Sequence, residues 1–268
     1  MTALPDLPGV YNLIAFDHIG STNDEAKRLA GLGEDECPDG TLVWAKSQSA
    51  ARGRRGRTWE SLDGNLFLSL VLRPDVPIME ATQLGYVAAL AVYDTIAELC
   101  PAGYEAQCKW PNDVLLNDKK FCGILLEASS NSGGVLDWLV LGLGINVAQH
   151  PDDSNLDYAT TSFHAEGATD ITREQTLVSF ARNFLLWTRR WLDDGFSVIR
   201  ENWVWRAKGI DQEIEVRLEY ETLSGIFAGI DENGALLLRQ GAGNASVIKT
   251  ITVGDVFFPA PPIDLRTE

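Results

Sequence analysis

Four arginines lie close together in the chain, and their spacing suits the binding of an anion. They alternate with glycines in the run Arg52, Gly53, Arg54, Arg55, Gly56 and Arg57. Glycine lets backbone N–H groups approach an anion closely, and a guanidinium group matches phosphate or carboxylate oxygens with paired hydrogen bonds. The run therefore predicts an anion-binding loop. A solvated basic loop without a ligand is the plain alternative, because short arginine-rich motifs often occur without function.

The charge of the whole chain argues against nucleic acid as the bound anion. The 268 residues include 22 Lys and Arg against 38 Asp and Glu, which gives a formal net charge of −16 at pH 7. A duplex would be repelled from most of such a surface. Trp59 and an apolar strand pattern, residues 66–72, follow the arginines directly. A loop fixed at a strand end is pre-organised, which favours a site for a small ligand.

Further candidate residues lie at a bend and in the strands after it. Residues 109–113 read Lys-Trp-Pro-Asn-Asp, and the proline must bend the strand. A ligand or Mg²⁺ site is as well supported there as a capped turn. Lys120 opens the next predicted strand near Lys109, and two such lysines repel unless an anion is close or both reach solvent. Gly142 and Gly144 alternate in an apolar strand, where glycine usually permits close approach of another group.

A polar cluster precedes the first predicted helix. Ser21, Thr22 and Asn23 stand before a helical apolar pattern, and Thr22 and Glu25 have the spacing of a capping box. The free N–H groups of a helix N-terminus could hold a polar group of a ligand. Simple capping explains the same residues.

The order of the patterns predicts an α+β fold, with a mixed, mostly antiparallel sheet covered by helices. One long helix is predicted between Ile78 and Leu99, and others over residues 172–194 and 197–205, the first of these with a capping box at Thr172 and Gln175. The predicted strands of this part are residues 11–16, 41–45, 66–72, 104–110, 114–116, 120–128 and 135–147, with a turn at 131–134. A polar loop over residues 148–170 is expected to order over a ligand.

The residue pattern of the sequence changes at Gly209, where short strand patterns separated by turns begin. Five of them, residues 213–218, 225–230, 235–239, 246–251 and 256–258, predict a small β-barrel. We therefore expect a larger domain over residues 1–208 and a small C-terminal domain over residues 209–268.

Composition predicts a cytoplasmic protein. Its 45% hydrophobic residues suffice for a core, and neither a membrane-spanning run nor a signal sequence is seen, so no membrane partner is expected. The four cysteines form no Cys-x-x-Cys pair, and we expect reduced, mostly buried thiols.

Jointly, these motifs resemble biotin protein ligase, in order and with similar spacing. The resemblance extends from about Phe16 to Val147, and the predicted barrel resembles the SH3-like domain of that family. The motifs that carry it are Ser21-Thr22-Asn23, Gln48 with residues 52–57 and Trp59, residues 109–113, Lys120 with Gly123-Ile124-Leu125, and Gly142 with Gly144-Ile145-Asn146. The resemblance implies an enzyme that joins biotin to a lysine of a carboxylase carrier domain through biotinyl-5′-AMP.

The resemblance also implies a role for each matching residue. Implied to contact biotin or line its pocket are Ser21, Thr22, Asn23, Gln48, Arg52, Gly53, Arg54, Lys120, Gly123, Gly142 and Gly144. Implied to bind ATP are Arg54, Arg57, Trp59, Lys109, Asn112, Asp113, Lys120 and Asn146, with Asp113 beside Mg²⁺. Arg54, Lys109 and Lys120 would be catalytic.

The sequence departs from the family pattern at one position, and one feature of the family is not expected here. The family usually has glycine where this chain has Ala51, and a methyl group would crowd a backbone with positive φ. Because Ser21 comes so early, we expect no preceding DNA-binding domain and no repressor activity.

The arginine loop could also pair two subunits into a homodimer. A lipoate ligase would share the reaction logic, although its Gly-Gly-Gly-Ala-Val run is absent, and a non-enzymatic binding module is a further alternative.

Overall fold

The apolar runs of the first part of the chain form one central sheet. Its strands are β1 (Asn12–Phe16), β2 (Thr41–Ala45), β3 (Leu66–Leu72), β4 (Ala106–Lys109), β5 (Asp113–Leu116), β6 (Lys119–Ser130) and β7 (Leu136–Ile145). The computed structural model describes residues 5–130, 135–152, 158–241 and 243–258. In it the seven strands lie in the order β1-β2-β3-β7-β6-β5-β4, and only β1 and β2 pair in parallel. The mixed, mostly antiparallel sheet is as predicted, while the predicted turn at 131–134 lies outside the described residues.

Helices cover both faces of this sheet. They are α1 (Thr22–Ala30), α2 (Ile78–Ala81), α3 (Leu84–Leu99), α4 (Arg173–Asp194) and α5 (Phe196–Trp205). β3 is buried along its whole length because its two faces meet different helices. On one face Val71 packs with Ala26 and Ala30 of α1, and on the other Leu70 belongs to the core that includes Leu90 of α3 and Phe180 of α4.

Two predicted helix features differ in the structure. The single helix expected between Ile78 and Leu99 is interrupted after Ala81, where the Thr82 hydroxyl donates to the Met79 carbonyl at 2.6 Å and competes with the helical pattern. The first helix is capped by Ser21 instead of Thr22. The Ser21 hydroxyl accepts from the Asp24 backbone N–H, which leaves the Thr22 side chain free for other contacts. The capping box of Thr172 and Gln175 is confirmed.

The C-terminal strands form a second, antiparallel sheet. They are β8 (Glu213–Arg217), β9 (Thr222–Ile230), β10 (Leu236–Gln240), β11 (Val247–Ile251) and β12 (Asp255–Phe257), in the order β11-β10-β9-β8-β12. The expected boundary between residues 208 and 209 falls in the connection from α5 to β8 and stays a prediction.

One turn of the second sheet is bonded to the first part of the chain. The carbonyl of Gly234 accepts hydrogen bonds from the Trp110 indole N–H at 3.1 Å and from the Tyr86 hydroxyl. Trp110 comes immediately before the predicted site residues 111–113, so this contact ties the small sheet to the bend. Within the described ranges, no helix has the length and apolar character needed to span a bilayer.

Candidate functional site

A single cleft gathers most of the predicted site residues. It is bounded by the start of α1, the arginine loop, the bend at residues 109–113, the middle of β6 and β7, and the last strand of the small sheet. The predicted residues that line it are Ser21, Thr22, Asn23, Gln48, Arg52, Gly53, Arg54, Arg57, Trp59, Lys109, Asn112, Asp113, Lys120, Gly123, Gly142 and Gly144. Motifs as far apart in the chain as Ser21 and Gly144 therefore form one site.

One end of the cleft is a cluster of neutral hydrogen-bonding groups. The Thr22 backbone N–H and hydroxyl both donate to the Gln48 side-chain oxygen, at 2.7 and 3.1 Å. The Ser69 hydroxyl on β3 donates to the Asn23 side-chain oxygen at 2.5 Å and lies 2.8 Å from the Thr22 hydroxyl. Asn23 in turn donates to Glu127 on β6 at 2.8 Å. These buried polar groups hold one another in fixed directions, which suits recognition of a polar but uncharged ligand group.

Gly142 leaves room for this cluster. A Cβ atom at position 142 would lie 2.1 Å from the Asn23 side-chain oxygen. The β7 backbone can therefore approach the start of α1 only because position 142 carries no side chain. The predicted role of Gly142 in lining the pocket agrees with this geometry.

Trp59 lies on a floor made by two other glycines. Gly123 of β6 and Gly144 of β7 are register partners, and a Cβ at either position would come within 2.7 Å of the Trp59 ring. The ring therefore lies flat against two adjacent strands at the middle of the cleft. Its indole nitrogen is buried and has no hydrogen-bond partner among the described residues. A ligand in the cleft could accept that hydrogen bond.

The arginine loop is folded by its own backbone. The Gly53 N–H donates to the Arg57 carbonyl at 2.7 Å, and Arg55 and Gly56 adopt left-handed conformations with φ of 55° and 72°. The crowding expected at Ala51 does not arise, because Ala51 does not have a positive φ. Its carbonyl accepts from the Trp59 N–H at 3.1 Å. The turn of the loop falls later in the run than the sequence suggested.

Arg52 anchors the loop to neighbouring elements. Its guanidinium donates two hydrogen bonds to Asp24 of α1, at 2.5 and 2.6 Å, and lies 3.4 Å from Glu127. This bonding to Arg52 lowers the pKa of Asp24 to about 2. Lys27 completes the group with a 2.7 Å ion pair to Glu127. Arg52 is thus held between two carboxylates of the protein, which suits an anchoring role, and its predicted contact with biotin stays a prediction.

Cations crowd the other end of the cleft. Lys120 forms a 2.9 Å ion pair with Asp113 and lies 4.8 Å from the centre of the Tyr158 ring. Burial alone would lower the pKa of Lys120, but Asp113 and Tyr158 outweigh it and raise the pKa. Lys109 has no carboxylate within 4 Å among the described residues, and burial lowers its pKa. The expected nearness of the two lysines is therefore real, and an anionic ligand would relieve their repulsion.

Arg54 connects the loop to the bend. Its guanidinium donates to the Asn112 side-chain oxygen at 3.0 Å, and Asn112 donates to the Ile124 carbonyl of β6 at 2.7 Å. Burial lowers the pKa of Arg54, although a guanidinium stays charged at any physiological pH. Arg54, Lys109 and Lys120, the predicted catalytic cations, therefore all line one end of the cleft.

Asp113, the predicted Mg²⁺ ligand, lines the cleft. The described residues contain no group of three or more His, Cys, Asp or Glu side chains arranged to hold a metal. Mg²⁺ that accompanies a nucleotide usually keeps several waters and takes only one or two carboxylates from the protein. Asp113 is a carboxylate at the cationic end of the cleft and fits that pattern.

Two comparisons with known families bear on this site. The model of the biotin/lipoate A/B protein ligase family matches residues 34–205, and that of the biotin protein ligase C terminal domain matches residues 209–258. A biotin–acetyl-CoA-carboxylase ligase from Paracoccus denitrificans is 40% identical over 242 residues, covering 89% of this chain and 97% of that protein. The chain belongs to the biotin protein ligase family.

Other members of the biotin protein ligase family match over a similar length. The bifunctional ligase/repressor BirA of Bacillus subtilis is 37% identical over 252 residues, which cover 91% of this chain and 73% of that protein. The structure of biotin protein ligase from Aquifex aeolicus in complex with biotin and ATP has a TM-score of 0.74 at 27% identity, covering 92% and 97% of the two chains. The predicted family and fold class, including the SH3-like C-terminal domain, are confirmed.

Asn146, a predicted ATP-binding residue, does not line the cleft. It is buried at the end of β7, and its side-chain amide donates to the Thr161 carbonyl at 3.0 Å. Its backbone N–H donates to the Phe121 carbonyl at 3.0 Å. Asn146 thus fixes the segment after residue 158 against the sheet, and its contact with a nucleotide stays a prediction.

Sequence reasoning missed several residues of the site. Two of them had a local signal, because Ser69 and Glu127 are polar residues within apolar strand patterns. Three others had none: Tyr158, Asp255 and Phe257 line the cleft only because distant parts of the chain fold back on it. The predicted polar loop over residues 148–170 supplies Tyr158, although residues 153–157 lie outside the described part.

Proposed function

We propose that this chain is an ATP-dependent biotin protein ligase that makes biotinyl-5′-AMP and transfers the biotinyl group to a carrier lysine. One observation supports this most. A neutral polar cluster around Thr22 and Gln48 occupies one end of a single cleft, and Arg54, Lys109 and Lys120 occupy the other. The uncharged ring system of biotin, bound at the first end, would direct the carboxylate of its tail toward the phosphates of ATP at the second end.

The proposed chemistry explains why cations are needed instead of a nucleophilic side chain. A carboxylate is a poor electrophile, so its oxygen attacks the α-phosphorus of ATP, the bond to the β-phosphate oxygen breaks, and pyrophosphate leaves. Both reactants are anions. The barrier is therefore lowered by alignment and by positive charge, which Arg54, Lys109 and Lys120 provide. A Mg²⁺ ion bound with the nucleotide, with Asp113 as its predicted ligand, would supply further positive charge at the phosphates.

The second step consumes the acyl phosphate. The acceptor lysine, as a free amine, attacks the acyl carbon, an amide forms, and AMP leaves with the electrons of the broken bond. Trp59, lying flat on Gly123 and Gly144, would stack on the nucleotide, and the arginine loop would cover the intermediate and keep water away from it. The unpartnered indole N–H of Trp59 could donate to an oxygen of the intermediate.

The remaining expectations belong to the same proposal. The acceptor is a biotin carboxyl carrier domain, the protein acts in the cytoplasm, and it does not act as a repressor. Neither nucleic acid nor membrane is a proposed partner. A homodimer formed through the arginine loop is a further prediction, which sedimentation of the protein with and without biotin and ATP would test.

The central experiment measures adenylate formation and then transfer. The protein, biotin, ATP and Mg²⁺ are incubated, and biotinyl-5′-AMP and pyrophosphate are quantified. A biotin carboxyl carrier domain is then added, and the AMP released and the mass of the carrier are recorded. We expect pyrophosphate and AMP only when biotin is present and one biotinyl group on the carrier. A carrier with its acceptor lysine changed to arginine should stay unmodified. Pyrophosphate formation with lipoate but not with biotin would refute the proposal.

Lys120→Ala tests the assigned cation, and Lys119→Ala is a matched control. Lys119 precedes Lys120 on β6, but its side chain is 46% exposed and pairs with Glu166. We expect Lys120→Ala to slow biotin-dependent pyrophosphate exchange about 100-fold or more, as the loss of a key electrostatic group does elsewhere. Lys119→Ala should exchange at nearly the parental rate. Equal rates for the two variants would contradict the role given to Lys120.

A further inference from the structure

Asp255 belongs to the small sheet, yet its carboxylate lies among the arginines of the loop. Its Oδ2 is 2.5 Å from the Arg57 guanidinium and 3.5 Å from that of Arg55, and its Oδ1 is 3.7 Å from Arg54. The side chain is only 18% exposed. One largely buried carboxylate is thus shared by three guanidinium groups of another domain.

The strand that carries Asp255 also reaches the buried lysine. The Lys109 ammonium is 5.6 Å from the centre of the Phe257 ring and 6.0 Å from that of Phe258. The centre of the Tyr158 ring lies 5.7 Å from the same ammonium. These rings stabilise a cation without neutralising it. The end of β12 and the residue after it therefore provide one carboxylate and two aromatic rings to this group of cations.

We propose that Asp255 is a displaceable counter-anion, which occupies the loop arginines until the phosphates of a nucleotide replace it. This inference rests on the proposed function, because it assigns those arginines to a polyphosphate. Arg54, Arg55 and Arg57 repel one another, and an anion bound between them relieves that repulsion. A triphosphate carries several charges and can form paired hydrogen bonds with each guanidinium, so it can outcompete a single carboxylate.

A purely structural role for Asp255 predicts the opposite effect of its loss on phosphate binding. If Asp255 only fastened the small sheet to the loop, its loss would loosen the arginines and weaken phosphate binding. If it competes with phosphate, its loss must strengthen phosphate binding. Asp255→Asn distinguishes the two, because asparagine has the same shape and keeps an oxygen acceptor for Arg57 but lacks the charge.

The experiment is a calorimetric titration of the full-length protein with inorganic pyrophosphate, which needs no turnover. We expect Asp255→Asn to bind pyrophosphate about five-fold more tightly than the parent, the effect of removing one competing charge about 4 Å away in a water-like dielectric. The KM for ATP should fall by a similar factor, while the KM for biotin stays unchanged. The matched control is Asp211→Asn, which removes an exposed carboxylate of the same domain that pairs with Arg239. It should leave all three values unchanged.

Each result decides the matter. Unchanged or weaker pyrophosphate binding by folded Asp255→Asn would overturn the proposal. If that variant does not fold, a crystal structure of the parent with pyrophosphate decides instead: displacement requires Asp255 and Arg57 more than about 4 Å apart, beyond ion-pair distance, and an intact pair would refute it. A parent that binds pyrophosphate but makes neither pyrophosphate nor biotinyl-5′-AMP from biotin and ATP would refute the ligase function, not the displacement.

Discussion

At the scale of single residues, the site depends as much on missing side chains as on present ones. Gly142 admits the side chain of Asn23, and Gly123 and Gly144 admit the ring of Trp59. Each of these glycines has an ordinary strand conformation, so its contribution is close approach and not backbone freedom. The side chains of Asn23 and Trp59 can occupy these positions only because this part of the sheet carries no side chains.

Gly142→Ala should therefore damage the neutral end of the cleft. The new methyl group would lie 2.1 Å from the Asn23 oxygen, which must move and break its 2.5 Å hydrogen bond with Ser69. We expect the free energy of unfolding to fall by about 1–3 kcal/mol and the KM for biotin to rise at least about ten-fold. Urea unfolding and steady-state kinetics measure the two effects. Gly9→Ala, where a Cβ meets nothing within 4 Å, is the control; a parental KM in Gly142→Ala would count against the assignment.

Residue types predicted more of the site than residue positions did. Arginines, lysines and glycines in short motifs indicate anion binding and close approach of a ligand, and the structure brings nearly all of them to one cleft. Ser69 could have been suspected as a lone hydroxyl in a buried strand. Asp255 could not, since an aspartate in a short C-terminal strand looks like any surface carboxylate until the two sheets are docked. Asn146 was assigned by resemblance, and its amide is already engaged by Thr161.

At the scale of elements, the arginine loop is held at three points. Arg52 is bonded to α1 and to β6, Arg54 to the bend through Asn112, and Trp59 packs on the glycine floor. A loop fixed in this way can present Arg54 and Arg57 to a ligand at little entropic cost. The sequence predicted the strands on either side well, because buried strands carry continuous apolar runs. It missed the break between α2 and α3, which neither a proline nor a glycine marks at Thr82 and Gln83.

The anchor at Asp24 predicts a particular pH dependence. Its folded-state pKa of about 2 lies below the ordinary value of 3.8, so the stabilisation is present above pH 4 and is lost as the pH falls toward 2. Asp24→Asn should be less stable than the parent by about 0.5 kcal/mol near pH 6, a small value because the exposed pair is screened. The gap should close between pH 4 and pH 2 in urea unfolding. Asp170→Asn, at an exposed site, is the control; a gap that persisted at pH 2 would exclude Asp24 as its source.

At the scale of the whole molecule, the site is shared by two sheets. The large sheet provides the floor, Lys109 and Lys120, while the small one contributes Asp255 and Phe257. Alternation and turn residues predicted that the small sheet exists, but how it docks depends on long-range contacts such as the one between Gly234 and Trp110. No local pattern encodes such a contact. The docking nevertheless decides which C-terminal residues reach the cleft.

Gly234→Ala tests whether this docking supports the site. Gly234 has a φ of 86°, and a Cβ there would lie 2.6 Å from the Tyr86 ring, so the turn must move away from α3 and from Trp110. Gly33→Ala is matched, since Gly33 has a φ of 100° but a Cβ there meets nothing within 4 Å. Both variants bear the strain of a left-handed alanine, and only Gly234→Ala adds the clash. We expect its free energy of unfolding to be lower than that of Gly33→Ala by about 1–3 kcal/mol in urea titrations. Its KM for ATP should also differ from the parental value, because the shift moves the small sheet, with Asp255, relative to the bend. Equal stabilities would mean that the turn relaxes without cost, and an unchanged KM would mean that the site does not depend on how the small sheet is docked.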